Sequence, residues 1–239
     1  MTSTDRRTVP TRREQRRQET LRDITRTARA LLVRDGVPGV TLRAIARELG
    51  MTAPALYRYF DSHEAVVTAL AAELYNELSD ALDVARDAEP RDDPGRQLIA
   101  ASRAFRRWSL AHKAEFALLF ANPMTDPSGP AVDDLDAAGH RFGLVFGRLF
   151  NLLWLTQPFP VPDVDDLPPS LAGQLAGWED ELRGGLPIPA VYVFLRCWIR
   201  LYGMVTMEVF GHLGWALTDA EPIFEAVLAE SVRDLRLDG

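Results

Sequence analysis

The residues best placed to do chemistry lie in one stretch, Thr41-Leu-Arg-Ala-Ile-Ala-Arg-Glu-Leu-Gly50-Met-Thr-Ala-Pro-Ala-Leu-Tyr-Arg-Tyr-Phe60. Two short helical patterns flank a glycine there, the arrangement of a helix-turn-helix that reads DNA. Thr41 can cap the first helix, whose apolar face is Leu42, Ile45, Ala46 and Leu49. Ala46 is small enough for two helices to cross, and Gly50 accepts the left-handed turn between them. Thr52 can cap the second helix, with Pro54 tolerated in its first turn. Ile45, Leu49, Met51 and Leu56 would lock both onto a preceding helix, and Tyr59 and Phe60 read as core. The competing interpretation is a helical hairpin with no DNA role.

Other chemistries find little footing. His63, His112, His140 and His212 stand apart in the sequence, without a His-x-x-x-His or cysteine-containing ligand spacing. Cys197 is the chain's one cysteine, so no internal disulfide can form, and it reads as a small buried hydrophobe. The acid pairs Asp133-Asp134, Asp165-Asp166 and Glu179 to Glu181 fall in loops or on polar faces. No glycine loop of the phosphate-cradling type occurs. The expectation is no enzyme, no metal and no cofactor.

The elements that must position the Thr41 to Phe60 stretch follow from periodicity. Residues 1–16 read as a flexible basic arm. Leu21, Ile24, Ala28, Leu31 and Leu32 recur at helical spacing up to Gly36, giving a helix ahead of the pair. Asp61 or Ser62 starts a fourth, with Glu64 in its first turn. Arg86 to Gly95 is a break, Gln97 to Phe120 one helix or two abutting ones, and Asn122 to Pro130 a loop. Val132 to Leu155 is a helix, Thr156 to Pro169 a proline-rich loop and Ser170 to Leu182 a short helix. Pro189 opens a long helix to about Leu213, apolar nearly all round and so buried on more than one side. Thr218 caps a last one ending near Leu237. The fold class is therefore all-α: a helix-turn-helix domain over 17–65 and a larger helical domain over 66–239.

Charge divides along the same line. Residues 1–60 hold 13 Arg against 6 acids, a net +7, and the remainder holds 14 basic residues against 28 acids, a net −14. A basic head on an acidic body suits a DNA-binding unit joined to one that does not touch DNA. Some of Arg6, Arg7, Arg12, Arg13, Arg16 and Arg17 of the arm would reach phosphates or an adjacent minor groove, the alternative being a solvated tail. No apolar run approaches the roughly 18 residues of a membrane span, and no apolar segment follows the arginine-rich N-terminus as in a signal peptide. These point to the cytoplasm, with no membrane partner.

Ile24-Thr-Arg-Thr-Ala28, Gly36, Thr41-Leu-Arg-Ala-Ile-Ala, Leu56-Tyr-Arg-Tyr-Phe60 and Ser62-His-Glu64 resemble the N-terminal domain of TetR-family transcriptional regulators over residues 17–65. The resemblance implies an all-α homodimer, two recognition helices in successive major grooves and a ligand pocket in the C-terminal domain. Carried over by position, Arg43, Ala53, Pro54, Tyr57 and Arg58 would meet DNA, and Thr41, Thr52 and Tyr57 would hydrogen-bond phosphates. His63 stands where the family usually has Lys, which implies a weaker or pH-sensitive phosphate contact. Ala53 and Pro54 leave little hydrogen-bonding code on the recognition helix, so Arg43 and Arg58 would carry most base reading, the alternative for each being a phosphate contact or a solvated charge. Trp198-Ile-Arg-Leu-Tyr202-Gly203, followed by Glu208, is similar to a subgroup marked by Trp, His and Gly, with Tyr202 in place of His. Within the family the last two long helices form a four-helix dimer interface, and the Pro189 to Leu213 and Thr218 to Leu237 patterns agree with that.

The body is rich in large apolar side chains, most of them core. A bundle so filled can also enclose a pocket between its helices. Its candidate lining is Phe105, Trp108, Phe120, Phe146, Phe150, Trp154, Tyr192, Trp198 and Tyr202. The leading expectation is a ligand-responsive repressor, a dimer on a palindromic operator in double-stranded DNA, released by a small hydrophobic or aromatic effector. The alternative is a DNA-binding regulator whose body only dimerises or contacts protein partners.

Overall fold

A computed structural model describes residues 11–121, 131–176 and 185–237. Its first helix owes its start to Thr11. The Thr11 hydroxyl accepts from the Glu14 amide, while the Glu14 carboxylate accepts from the Thr11 amide at 2.6 Å and hydroxyl at 2.8 Å. This reciprocal capping begins α1 at Arg12 and carries it to Asp35. Arg12, Arg13 and Arg16 are therefore helical, where the sequence pattern placed a loose arm through residue 16. These opening turns carry no apolar residue, so periodicity could not reveal them. Arg6 and Arg7 lie outside the described residues.

Past a single 3-10 turn (Val37–Gly39) come α2 (Leu42–Glu48) and the one-turn α3 (Ala53–Leu56). Ile24, Ala28, Leu31 and Leu32 of α1 are buried in one core with Ile45, Ala46 and Leu56. Ser62 caps α4 (His63–Asp87), its hydroxyl accepting from the Ala65 amide at 3.0 Å. The expected boundary at residues 65–66 thus falls inside a continuous helix. The first turn of α4 belongs to the head, and Leu70, Leu74, Leu78 and Leu82 farther along are buried in the body.

The body wraps α4 with α5 (Pro94–Ala111) and α7 (Ala131–Thr156), its most extensive neighbours. The Gln97 to Phe120 pattern resolves into two helices because His112 leaves helical geometry (φ −126°, ψ 53°), and α6 (Lys113–Phe120) then packs against α1 and α4. The last described helices are α8 (Pro169–Ala176), α9 (Ile188–Val209) and α10 (Glu221–Asp234). Asp219, not Thr218, serves the start of α10, accepting from the Glu221 amide at 2.9 Å. Asp133 and Asp134 are exposed in the first turn of α7, a polar face as expected, where their charge complements the helix dipole. Asp165 and Asp166 belong to a 3-10 turn. The loop expected over Asn122 to Pro130, the end of the helix expected to reach Leu182, and Glu179 to Glu181 lie outside the described residues.

Among the described residues no strand occurs, and the body core is aromatic. Phe105, fully buried, has Phe116, Phe120, Phe142, Phe146 and Trp198 around it at ring-centroid distances of 5.7–6.4 Å. A second cluster joins Phe150, Trp154, Phe159 and Phe194. One helix, Ile188–Val209, is long and apolar enough by length and composition to cross a membrane, with mean hydropathy 1.3 over its best window. Single charges break its apolar runs without lowering that mean much. Ala190, Val191, Val205 and Val209 bury it in the bundle, which accounts for its composition.

Candidate DNA-reading surface and its link to the body

The turn between α2 and α3 is built by backbone geometry. Gly50 sits at φ +63°, the Met51 amide reaches the Ala46 carbonyl at 2.9 Å and the Gly50 amide reaches the Arg47 carbonyl at 3.3 Å. That pair of bonds satisfies the carbonyls at the end of α2 and turns the chain into α3. A residue with a side chain would be strained there, so the glycine is a conformational requirement.

The expected contact residues stand on both sides of this turn, most of them exposed. Thr41 caps α2, accepting from Ala44 at 3.1 Å, and Arg43 and Arg47 are exposed beside it. Ala53, Pro54, Tyr57 and Arg58 are exposed on α3 and just past it, while Leu56 and Phe60 are buried beneath. Thr52 makes no capping bond within the chain, which leaves its hydroxyl available to a partner. His63, half-buried at the start of α4, has Nδ1 at 3.7 Å from Glu64. That carboxylate neighbour is unlike a lysine's free ammonium. Tyr59 is half-buried, its ring covered by Arg17 of α1 at 5.4 Å.

Behind this surface lies a cluster that sequence reading missed. Arg29 of α1 donates to Glu77 of α4 through both terminal nitrogens and to Glu115 of α6 through Nε at 3.0 Å. Trp108 Nε1 of α5 donates to the same Glu77 at 3.1 Å, and His112 Nδ1 lies 3.3 Å from Arg29 and 3.6 Å from Glu115. Burial works to raise the Glu77 pKa, but hydrogen bonds from Arg29 and Trp108 outweigh it and hold the carboxyl below its ordinary value. Glu115 is almost wholly buried. His112, isolated in sequence, is thus part of a polar junction between head and body. No local signal announces it, since its members come from different helices. Among the described residues no group of three or more metal-ligating side chains occurs, and the cation at the centre of this cluster is a guanidinium.

The nine candidate pocket residues do not converge. Phe146, Phe150 and Trp198 line a cavity of about 30 Å³ between α5, α7, α9 and α10, together with Ile99, Cys197 and Leu228. That volume holds about one water molecule. Phe105 and Phe120 belong to the filled aromatic core, Trp108 to the polar junction, and Trp154 to the second ring cluster. Tyr202 stacks on Trp198 and donates to the Phe120 carbonyl at 3.0 Å. Tyr192 faces an open cleft of about 410 Å³ beside Pro160, Pro162 and Arg196. Cys197 lines both spaces, and burial pushes its thiol pKa up, away from the reactive thiolate.

Comparison with known proteins gives this geometry its context. Residues 24–70 match the family model for bacterial regulatory proteins of the tetR family, and residues 98–231 match the tetracyclin repressor-like C-terminal domain. The chain is 30% identical to the HTH-type transcriptional regulator Rv1816 of Mycobacterium tuberculosis over 223 residues, 90% of this chain and 92% of that one. It is 34% identical to the class A tetracycline repressor protein from Escherichia coli transposon 1721 over 141 residues, 56% of this chain and 62% of that one. The regulatory protein SCO4313 shares the fold with a TM-score of 0.72 at 24% identity, over 93% of this chain and 100% of that one. RolR in complex with the ligand resorcinol shares it with a TM-score of 0.56 at 18% identity, over 93% and 94%.

Proposed function

The chain belongs to the TetR family of DNA-binding transcriptional regulators, and from that premise we propose that it is a homodimeric repressor whose operator hold is released by a small, largely apolar molecule. It is a regulator rather than an enzyme, as its relatives are. The observation that carries the coupling is the Arg29–Glu77–Glu115 cluster, because it ties the first helix of the head to two helices of the body. An effector that shifts α5 or α6 disturbs that tie and moves the heads away from the spacing of about 34–36 Å that successive major grooves require.

Arg43, Tyr57 and Arg58 meet bases and phosphates in this reading, Ala53 and Pro54 approach the groove floor, and Thr41, Thr52 and His63 contact phosphates. Dimerisation uses the outer faces of α9 and α10, where Ile199, Met207 and Ile223 are exposed in the single chain. Gly203 lies between the first two along α9 and lets a partner helix come close. The effector site is the seam at Phe146, Phe150 and Trp198, opened from its closed volume. The resorcinol complex of RolR supports a ligand of this kind, since a protein of the same fold takes a small aromatic molecule.

The filled aromatic core favours a second reading, in which the body only dimerises or binds a protein partner. One set of measurements separates them. The repressor reading expects salt-sensitive binding to the chain's own upstream region, and a co-purifying molecule, identified by mass spectrometry, that raises the melting temperature and weakens DNA binding. Salt-sensitive binding with no such molecule selects the second reading. Absence of DNA binding sinks both.

A further inference from the structure

Helix α1 opens with turns that the head's hydrophobic core does not use. Arg12, Arg13, Arg16 and Arg17 are all exposed, and the first buried residue of α1 is Ile24. The segment is nevertheless anchored at two points. The Thr11–Glu14 capping pair fixes its start, and Arg17 lies over the Tyr59 ring just past the recognition helix. Arg13, Arg16, Arg17 and Thr20 follow one another at i, i+3, i+4 and i+7, so they share one helical face. Across an open trough of about 1160 Å³ stand Met51, Ala55, Arg58 and Tyr59.

The lining of that trough carries five guanidinium groups, on Arg12, Arg13, Arg16, Arg17 and Arg58, against one carboxylate, on Glu14, a balance of +4. Glu14 is engaged by the Thr11 amide and hydroxyl. None of the five arginines has an acidic partner among the described residues. Like charges so concentrated repel one another unless anions lie among them.

We propose that this trough is a second DNA-binding surface, in which Arg13, Arg16 and Arg17 of α1 hold the phosphates of the strand flanking the groove that α3 reads. It rests on the DNA-binding reading of the head, and its α1 wall lies ahead of the family-matched segment that begins at residue 24. The contacts are to backbone. Arg13, Arg16 and Arg17 form a row along one face of α1, suited to successive phosphates rather than to the base edges proposed for Arg58, just past α3. Such contacts add affinity and salt dependence without sequence preference. Because the helix is already ordered, binding forfeits less conformational entropy than folding a loose arm would.

The test uses the full chain with two short duplexes, one from its own upstream region and one of random sequence, followed by fluorescence anisotropy across a KCl series. In an Arg13→Ala/Arg16→Ala variant, the slope of log K against log salt becomes shallower by about 0.9 for each phosphate no longer neutralised, hence about 1.8 per head, on both duplexes alike. Alanine preserves helix propensity, and circular dichroism with an unchanged melting temperature verifies the fold. Arg103→Ala, on the body, leaves the slope as it was. A folded double variant with the wild-type slope overturns the proposal, and so does one that loses discrimination between the duplexes while keeping its slope. A wild-type chain that binds neither duplex defeats the DNA reading itself, which is a separate result.

Discussion

In the head, Arg12, Arg13, Arg16, Arg17, Arg43, Arg47 and Arg58 are exposed and have no acidic partner among the described residues. In the body, Arg103, Arg106, Arg141 and Arg200 each close on a carboxylate from another helix. Arg106 goes furthest: it holds Glu208 through two nitrogens at 2.7 and 2.8 Å, nearly buried, with its guanidinium 5.0 Å from the centre of the Phe224 ring. The difference lies in particular arginines rather than in whole regions, since Arg26 and Arg34 of the head are paired with Asp23 and with Asp35 and Glu48, while Arg107 and Arg148 of the body are exposed. Cations paired across helices hold those helices together, whereas the unpaired cluster of Arg12, Arg13, Arg16, Arg17 and Arg58 is the one proposed to take phosphates. Arg29 stands at the border, a head residue satisfied by body carboxylates.

The sharpest way to separate the regions is to damage the body's core alone. Phe105→Ala removes a fully buried ring with five aromatic neighbours and should cost about 3–5 kcal/mol of stability in denaturant unfolding, while the salt slope of DNA binding by the folded fraction stays unchanged. A slope that changed with it would blur the division of labour. Next comes the reverse experiment. Arg58→Ala should weaken operator binding by about 1–3 kcal/mol and leave the melting temperature within a degree or so, because its side chain is exposed and satisfies nothing inside the chain.

Arg29→Ala tests the border. It strips the cation from the nearly buried Glu115, and the expected loss is about 1–2 kcal/mol of stability, discounted because Arg29 and Glu77 keep some solvent contact. The same variant should bind DNA yet respond less to effector, which simple destabilisation would not produce. Its pH dependence has a definite sign. The Glu77 pKa is lowered in the fold, so its contribution is fully present above the ordinary carboxylate value of 4.5 and fades as pH falls through the lower folded value. Unfolding of the wild type measured between neutral and acid pH should show that loss, and Glu77→Gln should flatten it.

The gentlest probe concerns α9. A side chain at Gly203 meets nothing within 4 Å in the single chain, so Gly203→Arg should leave the protomer folded. Sedimentation should nonetheless shift toward monomer if a second copy packs there. An unaltered dimer would move the interface elsewhere.

Legibility followed the range of the interactions. The Thr41 cap, the Gly50 turn and the burial of Ile45 and Leu56 could be read from neighbouring residues, because capping and left-handed geometry act over four or five positions. The opening of α1 has an equally local signal in its Thr11–Glu14 pair, but its turns carry no apolar residue and so escape periodicity. Of the nine candidate pocket residues only Phe146, Phe150 and Trp198 meet at one cavity, which periodicity does not single out. An aromatic side chain that fills a core and one that lines a cavity look alike in sequence; both Phe105 and Phe150 have ring neighbours, and only the packing leaves space beside Phe150.

By itself, the sequence determined most of the helices, the Thr41 and Ser62 caps, the Gly36 and Gly50 turns, the basic head on an acidic body and the exposed residues proposed to read DNA, all consequences of spacing and charge along the chain. Tertiary structure alone decided that Arg29 meets Glu77 and Glu115, that His112 joins them, and that Phe105 stands among five other rings. Those pairings join residues 48 and 86 positions apart, and only the packing of α1 against α4 and α6 brings such distant charges within hydrogen-bonding reach.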